Sequence, residues 1–408
     1  MTLAACRSCG SSSLHEVLSL GEMPLANALP TEAQLAAPDP RYPLEVVMCT
    51  ECSLLQLTES VPPPMLFAEY AYFSSRSEPM VAHARALVEE VRAERDLGSS
   101  NLVVEVASND GYLLQHYVKA GIPVLGIDPA ANVVPHALER DVPTLCEFFT
   151  TELAERLRAQ GTRADVIHAN NVLAHVPDIN DFVTAIARLL ADDGVVVVET
   201  PYSRDLIERL EFDTIYHEHI FYYSLHPLEA LFERNGLRVI HVDRTPIHGG
   251  SLRFTAAPVG GAAADETVLT LRDEEKDLGM ESHTYYRDLG ARVDALIASI
   301  RSFLDDRVRS GRRIAGYGAA AKATVMLNAL GVGPETIEFV VDGTPYKQGR
   351  YVPGVRIPIV APEMLLEHKP DDVMIFAWNF APSIMAKESA YTAAGGTFLL
   401  PLPAPHVA

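Results

Sequence analysis

The sequence predicts an α/β protein made of three units in series: a small metal-stapled N-terminal module, a central doubly wound parallel sheet and a second α/β unit. Three observations carry this. Two C-x-x-C pairs, Cys6/Cys9 and Cys49/Cys52, lie near the start. Apolar strands ending in small or acidic residues then alternate with helical stretches, as in a parallel sheet with crossovers. The same alternation restarts at Arg313, after a charged helical stretch over 262–310.

Composition bounds the reading. The chain has 408 residues, 48% hydrophobic and 21% charged, which is globular and long enough for two or three domains. No apolar run approaches the ~18 residues of a membrane-spanning helix. Met1 to Arg7 lacks the basic start and apolar run of a signal peptide, so a cytoplasmic protein is expected. A net charge of −21 without a basic cluster excludes nucleic acid as a partner and favours a monomer.

The four paired cysteines have the spacing of a tetrahedral zinc site, and four protein ligands would make that metal structural. Redox dithiols or a disulfide are the other readings; a chain without an export signal disfavours the disulfide. Cys146, in an apolar stretch, reads as a core thiol. Residues 1–75 form the zinc module, 76–260 the central domain, and 261–408 a helical linker with the second α/β unit. Glu69 to Ser75 is densely aromatic and suits either a domain junction or a ligand face.

In the central unit, 79–97 reads as an amphipathic helix, 102–106 as a buried strand, 112–120 as the next helix, and 124–128, 164–171 and 194–199 as further strands. Residues 237–242 and 251–256 read as later strands closing the sheet edge. Over 262–310, Tyr286, Leu289, Val293, Leu296, Ile300 and Leu304 mark one buried helical face. In the last unit, 313–318, 337–342, 373–378 and 398–400 read as strands, with a helix over 319–330.

Four motifs carry chemistry. The first is Glu105 to Gly111, with Ser108, Asn109 and Asp110 in the turn and Asp128 ending the next strand. Such a turn makes a pocket at the carboxyl end of a sheet, and the acid suits ribose hydroxyls. Without G-x-G-x-x-G, and with Asp110 set to repel pyrophosphate, a nucleoside lacking phosphates, such as S-adenosylmethionine, fits better than a dinucleotide. The second is Tyr216-His217-Glu218-His219: a base, its orienting group and a hydrogen-bond donor, a two-histidine metal site, or capping residues of a loop. The third is Asn170-Asn171 through His175, just past a strand end; His175 is a site residue or a helix cap. The fourth is Gly316 to Thr324, a small-residue turn opening a helix, with backbone amides and Lys322 set for an anion and Asn379 within reach of the same crevice. A plain strand–turn–helix also fits the first and fourth.

Together these blocks, with Glu69-Tyr70, Glu199-Thr200-Pro201 and His248-Gly249-Gly250-Ser251, resemble the sugar C-methyltransferases of deoxysugar antibiotic pathways over nearly the whole chain. The resemblance implies a zinc module, a Rossmann-like S-adenosylmethionine-binding methyltransferase domain, and a second Rossmann-like domain helping to hold a dTDP-linked 4-keto-6-deoxy sugar. It implies His219 as base, with Tyr216, Glu218, His175 and Tyr70 lining the active site. Ser108, Asn109, Asp128, Phe148 and Asn171 match the cofactor pocket, and Tyr317 and Lys322 the diphosphate segment. The reaction expected is C-3′ methylation through an enolate: His219 removes the proton, Glu218 holds its ring, and Tyr216 and His175 stabilise the oxygen. An NADPH-dependent 4-ketoreductase of a similar sugar, alone or as a second activity, is the enzymatic alternative. A zinc-containing scaffold without catalysis is the other.

Overall fold

The computed structural model describes residues 3–62, 66 and 73–408, with only the backbone of His248. The N-terminal sheet holds β1 (Leu14–Pro24), β2 (Arg41–Cys49) and β3 (Leu55–Leu57), all antiparallel. Its fourth strand, Phe221–Tyr222, comes from the central unit and pairs with β3. The module therefore does not close its sheet alone.

The central sheet runs β4 (Val103–Val106), β5 (Val124–Ile127), β6 (Thr144–Leu145), β7 (Ala164–Asn170) and β8 (Leu190–Pro201) in chain order, the Phe221–Tyr222 strand being β9. Two more strands, β10 (Leu237–Thr245) and β11 (Ser251–Pro258), follow. The spatial order is β10-β11-β8-β7-β4-β5-β6. The five strands β4 to β8 are mutually parallel, and β11 and β10 add an antiparallel edge. Order reverses beside β4, so the crevice over its carboxyl end binds ligands in this fold class. The β4 turn is tight: Ala107, Asn109 and Gly111 all have positive φ, of 56°, 50° and 76°. A Cβ on Gly126 would lie 2.5 Å from Ser108 Oγ, so β5 must carry glycine there.

The last sheet runs β14-β13-β12-β15-β16-β17, parallel except for β17. Its strands are β12 (Ile314–Tyr317), β13 (Val340–Val341), β14 (Ile359–Val360), β15 (Asp372–Ile375), β16 (Thr397–Leu400) and β17 (His406–Val407). The expected strand over 337–342 shrinks to two residues.

The 262–310 stretch is three helices, Glu266–Leu278, His283–Tyr286 and Leu289–Arg309. The predicted face, from Tyr286 to Leu304, is buried in one core with Leu44, Met48 and Phe212, and with Met326 and Leu327 of the Ala321–Leu330 helix. That core is shared by the N-terminal sheet and the last unit. Further links are Thr324 Oγ1 to the Ala26 carbonyl at 2.8 Å and Tyr351 N to the Pro30 carbonyl at 3.0 Å.

Cys146 departs from expectation. It is exposed, with its thiol 3.7 Å from the Pro129 carbonyl. The two-residue β6 ends at Leu145, and the chain turns outward before Phe149 re-enters the core.

Candidate active site

The four paired cysteines converge. Their sulfurs all lie within 4.8 Å of one another, with Cys6–Cys52 at 3.7 Å and Cys9–Cys49 at 3.5 Å. Zinc–sulfur bonds of ~2.3 Å give tetrahedral edges of about 3.8 Å, so the four thiols fit zinc and are too far apart for disulfides. The hydrogen bond with Cys52 draws the Cys6 thiol down to about 4 against its burial, and Gln56 Nε2 adds a donor at 3.1 Å. The first knuckle docks on the central domain, where Asn180 Nδ2 donates to the Arg7 and Ser8 carbonyls at 2.9 and 3.0 Å. None of the four cysteines lines the cavity described next.

A cavity of about 780 Å³ opens where the three units meet. On the central-sheet side its wall includes Asn109, Asp128, Phe148, Asn170 and Asn171. Asp128 accepts from Asn109 N and Ala130 N, both at 2.9 Å, and each oxygen keeps a second lone pair. Phe148 is 49% exposed, an aromatic face available for stacking.

Four residues of the first motif stand behind this wall rather than on it. Glu105 is buried, its carboxyl held well above the usual range by burial and then by Asp128 and Asp110. Ser108 packs towards Gly126, and Gly111 sits against Val142 and Ala137. Asp110 was expected to face ligand. It instead accepts from Ser75 Oγ at 2.5 Å and pairs with Arg140 at 3.9 Å, fastening the segment before the Glu78–Glu94 helix to the turn.

At the middle of the cavity stand Tyr216, Glu218, His219 and His175. His219 Nδ1 lies 3.1 Å from the Thr214 carbonyl, which can only accept, so Nδ1 carries the proton. Nε2 then offers a lone pair, met by the Tyr216 hydroxyl at 2.7 Å. The His175 ring stands edge-on to His219, centroids 4.8 Å apart. Burial lowers His175 to about 4, offset in part by contacts with the backbone of Glu218 and Asn171, so it is neutral at pH 7.

Two expectations for this motif are corrected. Glu218 does not hold the His219 ring; its carboxylate accepts from Asn27 Nδ2 at 2.7 Å, and burial pushes it up to about 7. The Thr214 carbonyl and Tyr216 take the orienting role because the tight turn after Phe212–Thr214 brings them to the ring. Nor do the two histidines converge for a metal. His217 turns away to the Tyr42 and Pro43 carbonyls of β2, at 3.3 and 3.2 Å. Tyr70 lies outside the described residues.

The far wall belongs to the last unit, with Tyr317, Lys322, Lys347 and Asn379. Lys322 Nζ is 3.2 Å from Asn379 Oδ1 and 3.9 Å from the Trp378 ring centre. Tyr317 donates to Glu388 at 2.8 Å. Asp342, at the end of β13, accepts from Ala319 N at 2.9 Å and from Thr344 N at 2.8 Å, and pairs with Lys347 at 3.3 Å. Sequence reasoning missed Asn27, Lys347 and Trp378. Asn27 sits between strands with no local pattern; Trp378, the sole tryptophan and neighbour of Asn379, was a usable signal.

Comparison with known proteins agrees with this layout. Residues 6–67 match a model described as a zinc binding domain, 80–242 a methyltransferase domain, and 246–403 the C-methyltransferase C-terminal domain. The C-methyltransferase NovU of Streptomyces niveus is 38% identical over 406 residues, covering 98% of this chain and 96% of NovU. A ubiquinone biosynthesis O-methyltransferase of Bartonella quintana is 30% identical over 99 residues, 24% of this chain and 40% of that one. The solved magnesium protoporphyrin IX methyltransferase of Synechocystis PCC 6803 with bound S-adenosylmethionine matches at 16% identity and a TM-score of 0.34, over 48% of this chain and 88% of that one. On the end-to-end match to NovU, the chain belongs to the C-methyltransferase family. It is a C-methyltransferase whose central domain has the fold of the S-adenosylmethionine-dependent enzymes.

Proposed function

We propose that this enzyme methylates C-3′ of a dTDP-linked 4-keto-6-deoxy sugar, with S-adenosylmethionine as donor and His219 as base. The observation that carries the reading is the His219 imidazole, its Nδ1 proton committed to the Thr214 carbonyl and its Nε2 lone pair held on the cavity wall. Asp128, Asn109, Asn171 and Phe148 on one side suit a nucleoside without phosphates. Tyr317, Lys347 and Asn379 on the other suit the nucleotide end of the sugar.

His219 Nε2 takes the proton from C-3′, and the C–H electron pair moves into the enolate. A histidine is a weak base for a carbon acid, so the enolate oxygen needs donors. Tyr216 is one: its hydroxyl, bound to Nε2, turns to the carbonyl oxygen as substrate takes its place. Neutral His175 is the other. Bound S-adenosylmethionine would supply an electrophilic methyl group in line with the enolate carbon, whose electron pair forms the new C–C bond as the S–CH3 bond breaks to a neutral thioether. The chain's own share is alignment, worth as much as ~7–11 kcal/mol in well-oriented reactions. Zinc, held by Cys6, Cys9, Cys49 and Cys52, would brace the fold away from this chemistry.

Purified protein is incubated with methyl-labelled S-adenosylmethionine and a dTDP-4-keto-6-deoxy sugar, and the product mass is followed. One methyl gained on carbon supports the reading. Two hydrogens gained with NADPH present, and no methyl, would replace it with the ketoreductase.

A further inference from the structure

Lys322 stands where a diphosphate ligand would be expected, yet its surroundings are acidic. Glu211 and Asp213 lie in the short segment just before Tyr216, and both are buried. Trp378 Nε1 donates to Asp213 Oδ2 at 2.8 Å, and the face of the same indole carries the Lys322 ammonium, 3.9 Å from its centre. Asp213 Oδ1 and Glu211 Oε1 have no hydrogen-bond partner among the described residues. Burial pushes Glu211 up to about 8 and Asp213 up to about 6, and the Lys322 charge opposes both. A Cβ on Gly249 would lie 2.7 Å from the Trp378 ring and 2.8 Å from Glu211, so the loop is closed down on this cluster.

We infer that Lys322 is a positioning residue: with Trp378 it clasps the Glu211/Asp213 segment to the last unit and so sets the Thr214 carbonyl that orients His219. Lys322 is held at Asn379 Oδ1, 3.2 Å away, and over the Trp378 ring, and the same indole donates to Asp213. Removing Lys322 takes the cation from the face of the indole that anchors Asp213 and withdraws a charge that opposes the burial of both acids, Arg209 at 3.8 Å remaining as an ion-pair partner of Glu211. The segment then shifts, and His219 with it. This inference rests on His219 serving as the base.

The sole tryptophan makes the clasp visible. Full-length wild type, Lys322→Met and Lys322→Arg are compared by Trp378 emission, by calorimetric affinity for thymidine 5′-diphosphate, and by steady-state methyl transfer. Lys322→Met is expected to shift the emission and lower kcat at least about tenfold, with diphosphate affinity within about threefold. Lys322→Arg, which keeps the cation, restores emission and most of kcat. Diphosphate affinity lost about tenfold or more with emission and kcat unchanged overturns the inference, as does no change in any of the three. If Lys322→Met does not fold, Asp213→Asn takes its place, with the same expected pattern. A wild type that transfers no methyl group sinks the proposed reaction instead, while the emission and affinity readouts still decide the clasp.

Discussion

Both ring nitrogens of His219 are engaged, one by a carbonyl that fixes the tautomer and one by Tyr216. His219→Ala removes the base proposed above without touching the Asp128 wall. It should lower methyl transfer, and deuterium wash-in at C-3′ in D₂O, by at least ~10²-fold. Calorimetry should find S-adenosylmethionine binding unchanged; near-normal turnover would end the assignment. Glu218 makes a prediction of opposite kind. Burial raises it to about 7, so the folded state holds the proton more tightly than the unfolded chain. Its contribution to stability is complete below the ordinary carboxylate range and is lost as pH rises through about 7. Glu218→Gln keeps an uncharged side chain beside Asn27. Melting curves from pH 5 to 8 should show the variant losing less stability than wild type, by up to ~3 kcal/mol. Parallel curves would refute the buried charge.

Elements bring these residues together through backbone that side chains rarely adopt. Gly250, between β10 and β11, has φ +141°, and a Cβ there would run into the Asp205 carboxylate. Asp205 cannot yield easily, because Arg244 holds it at 2.9 Å. Gly250→Ala should therefore cost ~2–3 kcal/mol in denaturant unfolding and reduce kcat, since this loop lines the cavity. A variant as stable as wild type would show the loop to be free to relax.

At the scale of the whole molecule, the units share sheet and core. β9 of the central unit completes the N-terminal sheet, and Cys6, Cys49 and Cys52 belong to the same core as Val104, Ile167 and Phe221. Zinc loss should thus loosen the catalytic domain as well as the knuckles. Isolated protein should carry about one zinc per chain. Cys49→Ser should lose it and melt on the order of 10 °C lower in a single transition. A variant that lacks zinc yet melts with wild type would show the site to be incidental.

Much of this was legible in the chain. The C-x-x-C spacing, the small-residue turn before Gly111, Asp128 after the next strand, and the helical face from Tyr286 to Leu304 are local patterns, set by ligand geometry, backbone sterics and periodicity. Local pattern could not say which neighbour each side chain meets. Glu218 was matched to His219 because they adjoin in sequence, but the turn sends it to Asn27. Lys322 read as an anion binder at a helix start; folding sets it on the cavity wall and also over the Trp378 ring, whose nitrogen donates to Asp213 of another unit. Cys146 read as core, but it lies past the end of a two-residue strand. The sequence by itself determined the three units and the cysteine pairs that converge into one cluster. Only the tertiary structure decided the tautomer, which a turn sets through the Thr214 carbonyl, and burial and charge pairing, which join groups as far apart as Asn27 and Glu218 that no spacing records.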